Sequence, residues 1–188
     1  MTWLIVAILV IVVIVLAVLL MRSRRSQQLQ DDFGPEYGRV VAERGDRRAA
    51  ESELAERRDR RSQLEIRELE PAARDRYADR WAAAQREFVD QPPHAVGEAD
   101  ALVTEVMRDR GYPVSEDFEQ RAADVSVDHP VVVEHYRAAH AISGRATQGE
   151  AGTEELRQAM VHFRALFDEL LGHDDDRRAA EPTSERTA

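Results

Sequence analysis

Cysteine, lysine and asparagine are missing altogether from the 188 residues. Without cysteine the chain has no disulfide, thiolate metal site, iron–sulfur cluster or thiol nucleophile, although this does not fix its compartment. Without lysine, all 26 basic side chains are arginine. We read the joint loss of lysine and asparagine as the bias of a GC-rich genome, since arginine is not exchangeable with lysine only at bidentate or stacked sites. Glycine (9) and proline (7) are scarce while charged residues make up 33%, as in helical domains rich in Ala, Glu, Arg and Leu. Catalytic signatures are also missing: there is no Walker loop, no G-x-G-x-x-G after a strand, no G-x-S-x-G, no H-E-x-x-H and no E-x-x-H pair. No internal repeat is present.

Against these absences stands one long apolar run. Residues 3–21 (WLIVAILVIVVIVLAVLLM) carry no charge, and 15 of them are Leu, Ile or Val. As a helix the run is about 28 Å long, close to the hydrocarbon thickness of a bilayer. At about −0.4 kcal/mol per residue its aliphatic side chains favour insertion by roughly 6 kcal/mol. A cleaved signal peptide would need a basic start, a shorter apolar core and a small-residue cleavage site, none of which is present. A soluble helix in so small a domain would not be apolar all round. The expectation is therefore a transmembrane anchor over 1–25. Arg22, Arg24 and Arg25 follow the run directly, so the positive-inside rule places the N-terminus outside and the rest of the chain on the cytoplasmic side of the cell (inner) membrane, with Trp3 at the outer interface. No small-xxx-small pair favours close helix dimerisation, and three arginines are few for a lipid-binding cluster.

The remaining chain is long enough for one domain. Its charge is uneven: residues 22–86 hold 16 arginines against 14 carboxylates, a net +2, and residues 87–188 hold 10 against 22, a net −12. The acidic half argues against a nucleic-acid partner.

The expected fold class is all-α: an N-terminal transmembrane helix, then a long charged helix, then a small helical bundle. Residues 26–70 divide into a polar linker (26–32), a long exposed helix from Pro35 to Gln63 bent at Gly45, and an extended connector (64–70). Within that helix Tyr37, Val40, Val41, Ala50 and Leu54 are the few apolar positions, and Glu53/Arg57 and Glu56/Arg60 are spaced for ion pairing. Residues 71–172 form the bundle. A helix opens at Pro71 with Tyr77, Trp81, Ala84 and Phe88 on one face. A second covers 95–110 with Ala99, Leu102, Val103, Val106 and Met107 inward, closed by Gly111. A short helix follows over 116–124 with Ser115 as its N-cap. Asp128-His129-Pro130 reads as the start of a helix carrying Val132, Val133, Tyr136, Ala139, His140 and Ser143, residues 144–152 as a loop, and Thr153 as the opening of a last helix closed by Gly172. Residues 173–188 read as a disordered tail.

Histidine is the natural place to look for chemistry. His135 and His140 are separated by roughly 140° around a helix, so they cannot share a metal as an i,i+4 pair would. A cluster of Glu134, His140 and His162 is conceivable only in three dimensions. No catalytic, cofactor-binding or metal-binding residue is assigned. Residues 33–48 (FGPEYGRVVAERGDRR), 107–130 (MRDRGYPVSEDFEQRAADVSVDHP) and the Y-R-A-A-H run at 136–140 resemble single-span membrane proteins of actinobacteria. The resemblance covers most of 33–171; that family has no established activity, so it implies a membrane location and no site residues. Three functions stay open: a membrane-anchored module for protein–protein interaction or scaffolding with an unidentified protein partner, an enzyme or metal/cofactor-binding domain centred near His140 and His162, and a self-associating structural membrane protein, a homo-oligomer built through the charged arm.

Overall fold

A computed structural model describes residues 2–172; within 2–22 the side chains described are those of Trp3, Leu9, Val13, Leu16, Ala17, Leu20 and Met21. The tail expected at 173–188 and the Arg22 side chain lie outside the described residues. Those described form seven helices and no strand: α1 (Thr2–Arg44), α2 (Arg47–Ser62), α3 (Pro71–Glu87), α4 (Pro92–Arg110), α5 (Phe118–Val125), α6 (Val133–Thr147) and α7 (Thr153–Leu171). Among the described residues no helix is long and apolar enough to cross a membrane.

The linker expected over 26–32 is helical. Ser26, Leu29 and Phe33 recur at three and four residues, and all three are buried, so packing overrides the polar composition of the segment. Helical geometry breaks at Gly34 (φ 44°, ψ −122°), with Pro35 directly after it. Pro35 suits the first position of a new helix because its missing N–H would have no partner there. The single exposed helix expected over 35–63 is instead two helices. The second half of α1 ends at Arg44, the chain turns at Gly45 (φ 65°), and Asp46 caps α2 by accepting from the Ala49 N–H at 3.1 Å.

Side-chain pairs give the sense of packing. Ser26 meets Glu51 at 2.7 Å and Asp32 meets Arg58 at 3.5 Å, so the first half of α1 runs alongside α2 in the same direction. Glu36 pairs with Arg57 and Arg44 with Glu53, so the second half runs against it. The three segments enclose a small core of Leu29, Phe33, Val40, Ala50 and Leu54, flanked by Tyr37, Val41 and, from beyond α5, Val127. The Glu53–Arg57 pair forms, whereas Arg60 lies 3.7 Å from Asp124.

The main core belongs to α3, α4, α6 and α7. Its largest fully buried side chains are Trp81, Tyr136, Phe163, Phe167, Leu102, Met107, Leu166 and Leu170. Trp81 and Phe167 stack at 4.7 Å between ring centroids, a favoured aromatic geometry. The stripes expected on α3, α4 and α6 face this core, as do Leu156, Met160, Phe163, Phe167 and Leu170 of α7. Helix boundaries differ from expectation. The helix expected from 95 begins at Pro92, and the loop expected from 144 begins only after Thr147. Asp117, not Ser115, caps α5 by accepting from the Glu119 N–H; Ser115 donates to the Asp117 carbonyl. Asp128 does not open α6, which starts at Val133 without a side-chain cap. It accepts from the Tyr112 hydroxyl and pairs with Arg61 of α2.

Residues 65–70 form no helix or strand and lie across the end of α4. The Arg67 N–H donates to the Arg110 carbonyl at 2.9 Å, and Arg67 Nε to the Asp109 carbonyl at 2.8 Å. Arg110 itself reaches the Leu170 carbonyl at the end of α7 (3.0 Å). This close approach depends on Gly111: it is left-handed (φ 96°), and a Cβ there would lie 2.5 Å from the Glu65 carbonyl oxygen. Gly149 is also left-handed (φ 74°) but faces open space. Gly149→Ala is expected to cost about 1 kcal/mol from backbone conformation, and Gly111→Ala a further 1–3 kcal/mol (roughly) from overlap with a backbone atom that cannot swing away. Urea denaturation of the two variants checks this; equal losses would show that the connector is not seated on Gly111.

Candidate functional site

The most strongly organised polar site lies where the N-terminal helices meet the bundle. The Glu36 side chain is fully buried and accepts from three arginines on three helical segments. Arg39 donates through Nε to Oε2 at 2.9 Å and through Nη2 to Oε1 at 2.7 Å. Arg57 of α2 donates to Oε1 at 2.7 Å. Arg137 of α6 donates to Oε2 at 2.9 Å and Oε1 at 3.1 Å. Arg57, itself 5% exposed, also reaches the Ser126 hydroxyl at 3.3 Å. Glu43, Glu53, Glu119 and Glu134 pair with the outer edges of the same guanidiniums, which compensates the excess positive charge.

Burial works to raise the Glu36 pKa, but hydrogen bonds from Arg39 and the charge and hydrogen bonds of Arg137 outweigh it and hold it at about 2. The arrangement is a clasp rather than a reaction centre: the carboxylate is enclosed, ionised and saturated with donors. Sequence reasoning missed it, because Glu36 reads as a residue of the first turn of a helix and nothing in the sequence brings Arg137, 101 positions away, to its side.

The histidines do not pair as the sequence suggests. His140 and His162 are not brought together, and no cluster forms with Glu134. His140 Nδ1 lies 3.1 Å from an Asp100 oxygen, and its ring stacks on Phe118 at 3.7 Å. His162 instead meets His135, with Nδ1 atoms 2.9 Å apart and rings stacked at 4.9 Å. His129 lies 3.3 Å from Glu169. Among the described residues no group of three or more His, Cys, Asp or Glu side chains is arranged to hold a metal ion. The His140–Asp100 pair could orient an imidazole for proton transfer, yet among the described residues no hydroxyl nucleophile hydrogen-bonds that imidazole.

Several grooves mark the described surface; one of about 410 Å³ between α4 and Arg121 is lined by Asp100, Thr104, Glu105 and Arg108, and two others bear on the N-terminal helices and on the α3–α7 face. The first, about 800 Å³, lies between the first half of α1 and the start of α2 and is lined by Ser23, Ser26, Gln27, Gln30, Asp46, Arg47, Arg48 and Glu51. Here Ser26, Tyr37 and Arg47 all bond to Glu51. The second, about 300 Å³, lies between α3 and α7 and is lined by Gln85, Phe88, Arg157, Met160, Val161 and Arg164. Val161 is exposed beside it, and Val89, next to Phe88, is exposed too.

Of the residues expected to set topology, Trp3 is 87% exposed near the start of α1, and Arg24 and Arg25 are exposed between Ser23 and Ser26 of the first groove. The chain matches no known family model, no curated protein and no solved structure.

Two predictions follow from this geometry. Glu36→Gln leaves three guanidiniums facing a neutral amide, and is expected to cost about 3–5 kcal/mol. Because the folded pKa is depressed from 4.5 to about 2, the stability contributed by Glu36 is fully present above pH 4.5 and is lost as pH falls towards 2. Urea midpoints at neutral and acid pH should therefore fall more steeply in the parent chain than in Glu36→Gln; identical slopes would exclude this carboxylate as the main acid-sensitive group. Separately, burial first and the His135 charge second lower the His162 pKa. His135→Ala should raise it, as read by NMR titration of the ring protons; an unchanged value would mean that the pair is not coupled.

Proposed function

We propose that the chain is a membrane-tethered helical module that presents its bundle to a partner protein close to a bilayer surface. One observation carries the reading. The uncharged run of residues 3–21 enters the folded domain as part of a single helix, and its described large side chains, Trp3, Leu9, Val13, Leu16, Leu20 and Met21, are all exposed. An apolar helix of this length whose described side chains stand exposed is stabilised where lipid covers it. The arginines at 22, 24 and 25 favour a cytoplasmic bundle.

An interaction role is preferred over an enzyme because the α3–α7 groove is an apolar surface beyond the core, whereas the described histidines are each engaged by a neighbouring side chain. Self-association through the charged arm loses its premise, since α2 spends its apolar face on α1.

Flotation of the full chain with vesicles, compared with Leu9→Arg/Val13→Arg, tests the tether. The parent chain is expected to float and to resist carbonate extraction, with the double variant released at least about ten-fold more, given a cost of about 2.5–3.5 kcal/mol per buried arginine. A parent chain that stays in the aqueous phase would overturn the reading.

A further inference from the structure

Three arginines after an apolar run are few for lipid recognition, but the fold brings more of them to the same level. The first half of α1 and α2 run in the same direction, so the start of α2 is level with the part of α1 that follows the apolar run. Arg47 donates to the Ser26 hydroxyl, and the groove between Ser23, Ser26, Gln27 and Gln30 on one side and Arg47 and Arg48 on the other opens here. At 1.5 Å per residue, Ser23 and Gln30 lie about 3 Å and about 14 Å beyond Met21 along α1. A headgroup layer is roughly 5–8 Å thick, so the near half of the groove falls within it.

We infer that this groove binds the phosphate of an anionic phospholipid in the adjoining leaflet. The inference rests on the membrane-tethered reading above. Arg24, Arg25 and Arg48 are exposed and have no carboxylate partner among the described residues. The carboxylates that line the groove are already engaged: Asp46 caps α2, and Glu51 accepts from Ser26, Tyr37 and Arg47. The positive end of the α2 dipole opens in the same place. Guanidiniums supply bidentate donors to phosphate, while the amides of Gln27 and Gln30 add neutral donors deeper in the groove. A zwitterionic headgroup brings the same phosphate with a cation that the arginines repel, so the preference is for net negative lipid.

The full chain would be reconstituted in phosphatidylcholine nanodiscs with and without phosphatidylglycerol, and retained lipids would be counted by native mass spectrometry, with flotation measured in parallel. Enrichment of phosphatidylglycerol is expected, falling about five-fold in Arg48→Gln, as roughly 1 kcal/mol per arginine near the surface implies. Arg47→Gln should fall likewise. Arg58→Gln, on the same helix about 15 Å farther from the membrane, should retain the enrichment. Arg48 is exposed, so its variant keeps the fold, which circular dichroism verifies. If the chain floats but shows no lipid preference, the inference fails while the tether stands; if it does not float, both fail. If enrichment depends on Arg24 and Arg25 but not on Arg47 and Arg48, the flank alone acts and the groove is not the site. If inorganic phosphate at millimolar concentration displaces the lipid, the groove is a free-anion site and the lipid assignment is overturned.

Discussion

The N-terminal helices dock on the bundle around one buried carboxylate, Glu36. A charge taken out of water is costly unless it is paired and its lone pairs are filled. Glu36 meets both conditions by drawing on Arg39, Arg57 and Arg137. Since these come from the second half of α1, from α2 and from α6, satisfying the carboxylate is the same event as docking the three segments. Planar guanidiniums make this feasible, because each presents two parallel N–H groups and several can share two oxygens. The apolar contribution at the seam is modest, with Val127 the residue beyond α5 that joins the small core. Specificity of docking therefore rests on polar geometry.

The uneven charge along the sequence gains meaning in this light. Arginines from residues 22–86 meet carboxylates from the acidic half across the seam: Arg39 with Glu134, Arg60 with Asp124 and Arg61 with Asp128. Most of these pairs are partly exposed and individually weak. Together they give the two halves complementary faces, so the asymmetry that reads as a solubility device in the linear chain also serves internal recognition.

The bundle was largely legible from residue spacing. Tyr77, Trp81 and Ala84 on α3, and Leu156, Met160, Phe163, Phe167 and Leu170 on α7, recur at helical intervals and are buried. Glycine at 111 and 172 marks helix ends because both adopt the left-handed conformation that such ends require. Other features lay beyond local pattern. Leu29 and Phe33 are too few among Gln and Asp to signal a buried helix, and only the partner face of α2 gives them a reason to be inside. Asp128 before His-Pro has the local chemistry of a helix cap, but Tyr112 and Arg61 compete for it and win. The histidine pairings depend on how α6 and α7 are rotated against each other, which one-dimensional spacing does not encode.

The unbroken path of α1 has a mechanical corollary. From Thr2 to Phe33 there is no swivel: the first departure from helical geometry is Gly34, and by then Ser26, Leu29 and Phe33 are already locked against α2. The apolar half is thus not a leash but a shaft. A tilt or axial rotation imposed on it would be passed through α2 and the Glu36 clasp to α6. The domain would respond to such a torque by turning as a body, and its exposed grooves would sweep through an arc whose size is set by the lever rather than by a flexible tether.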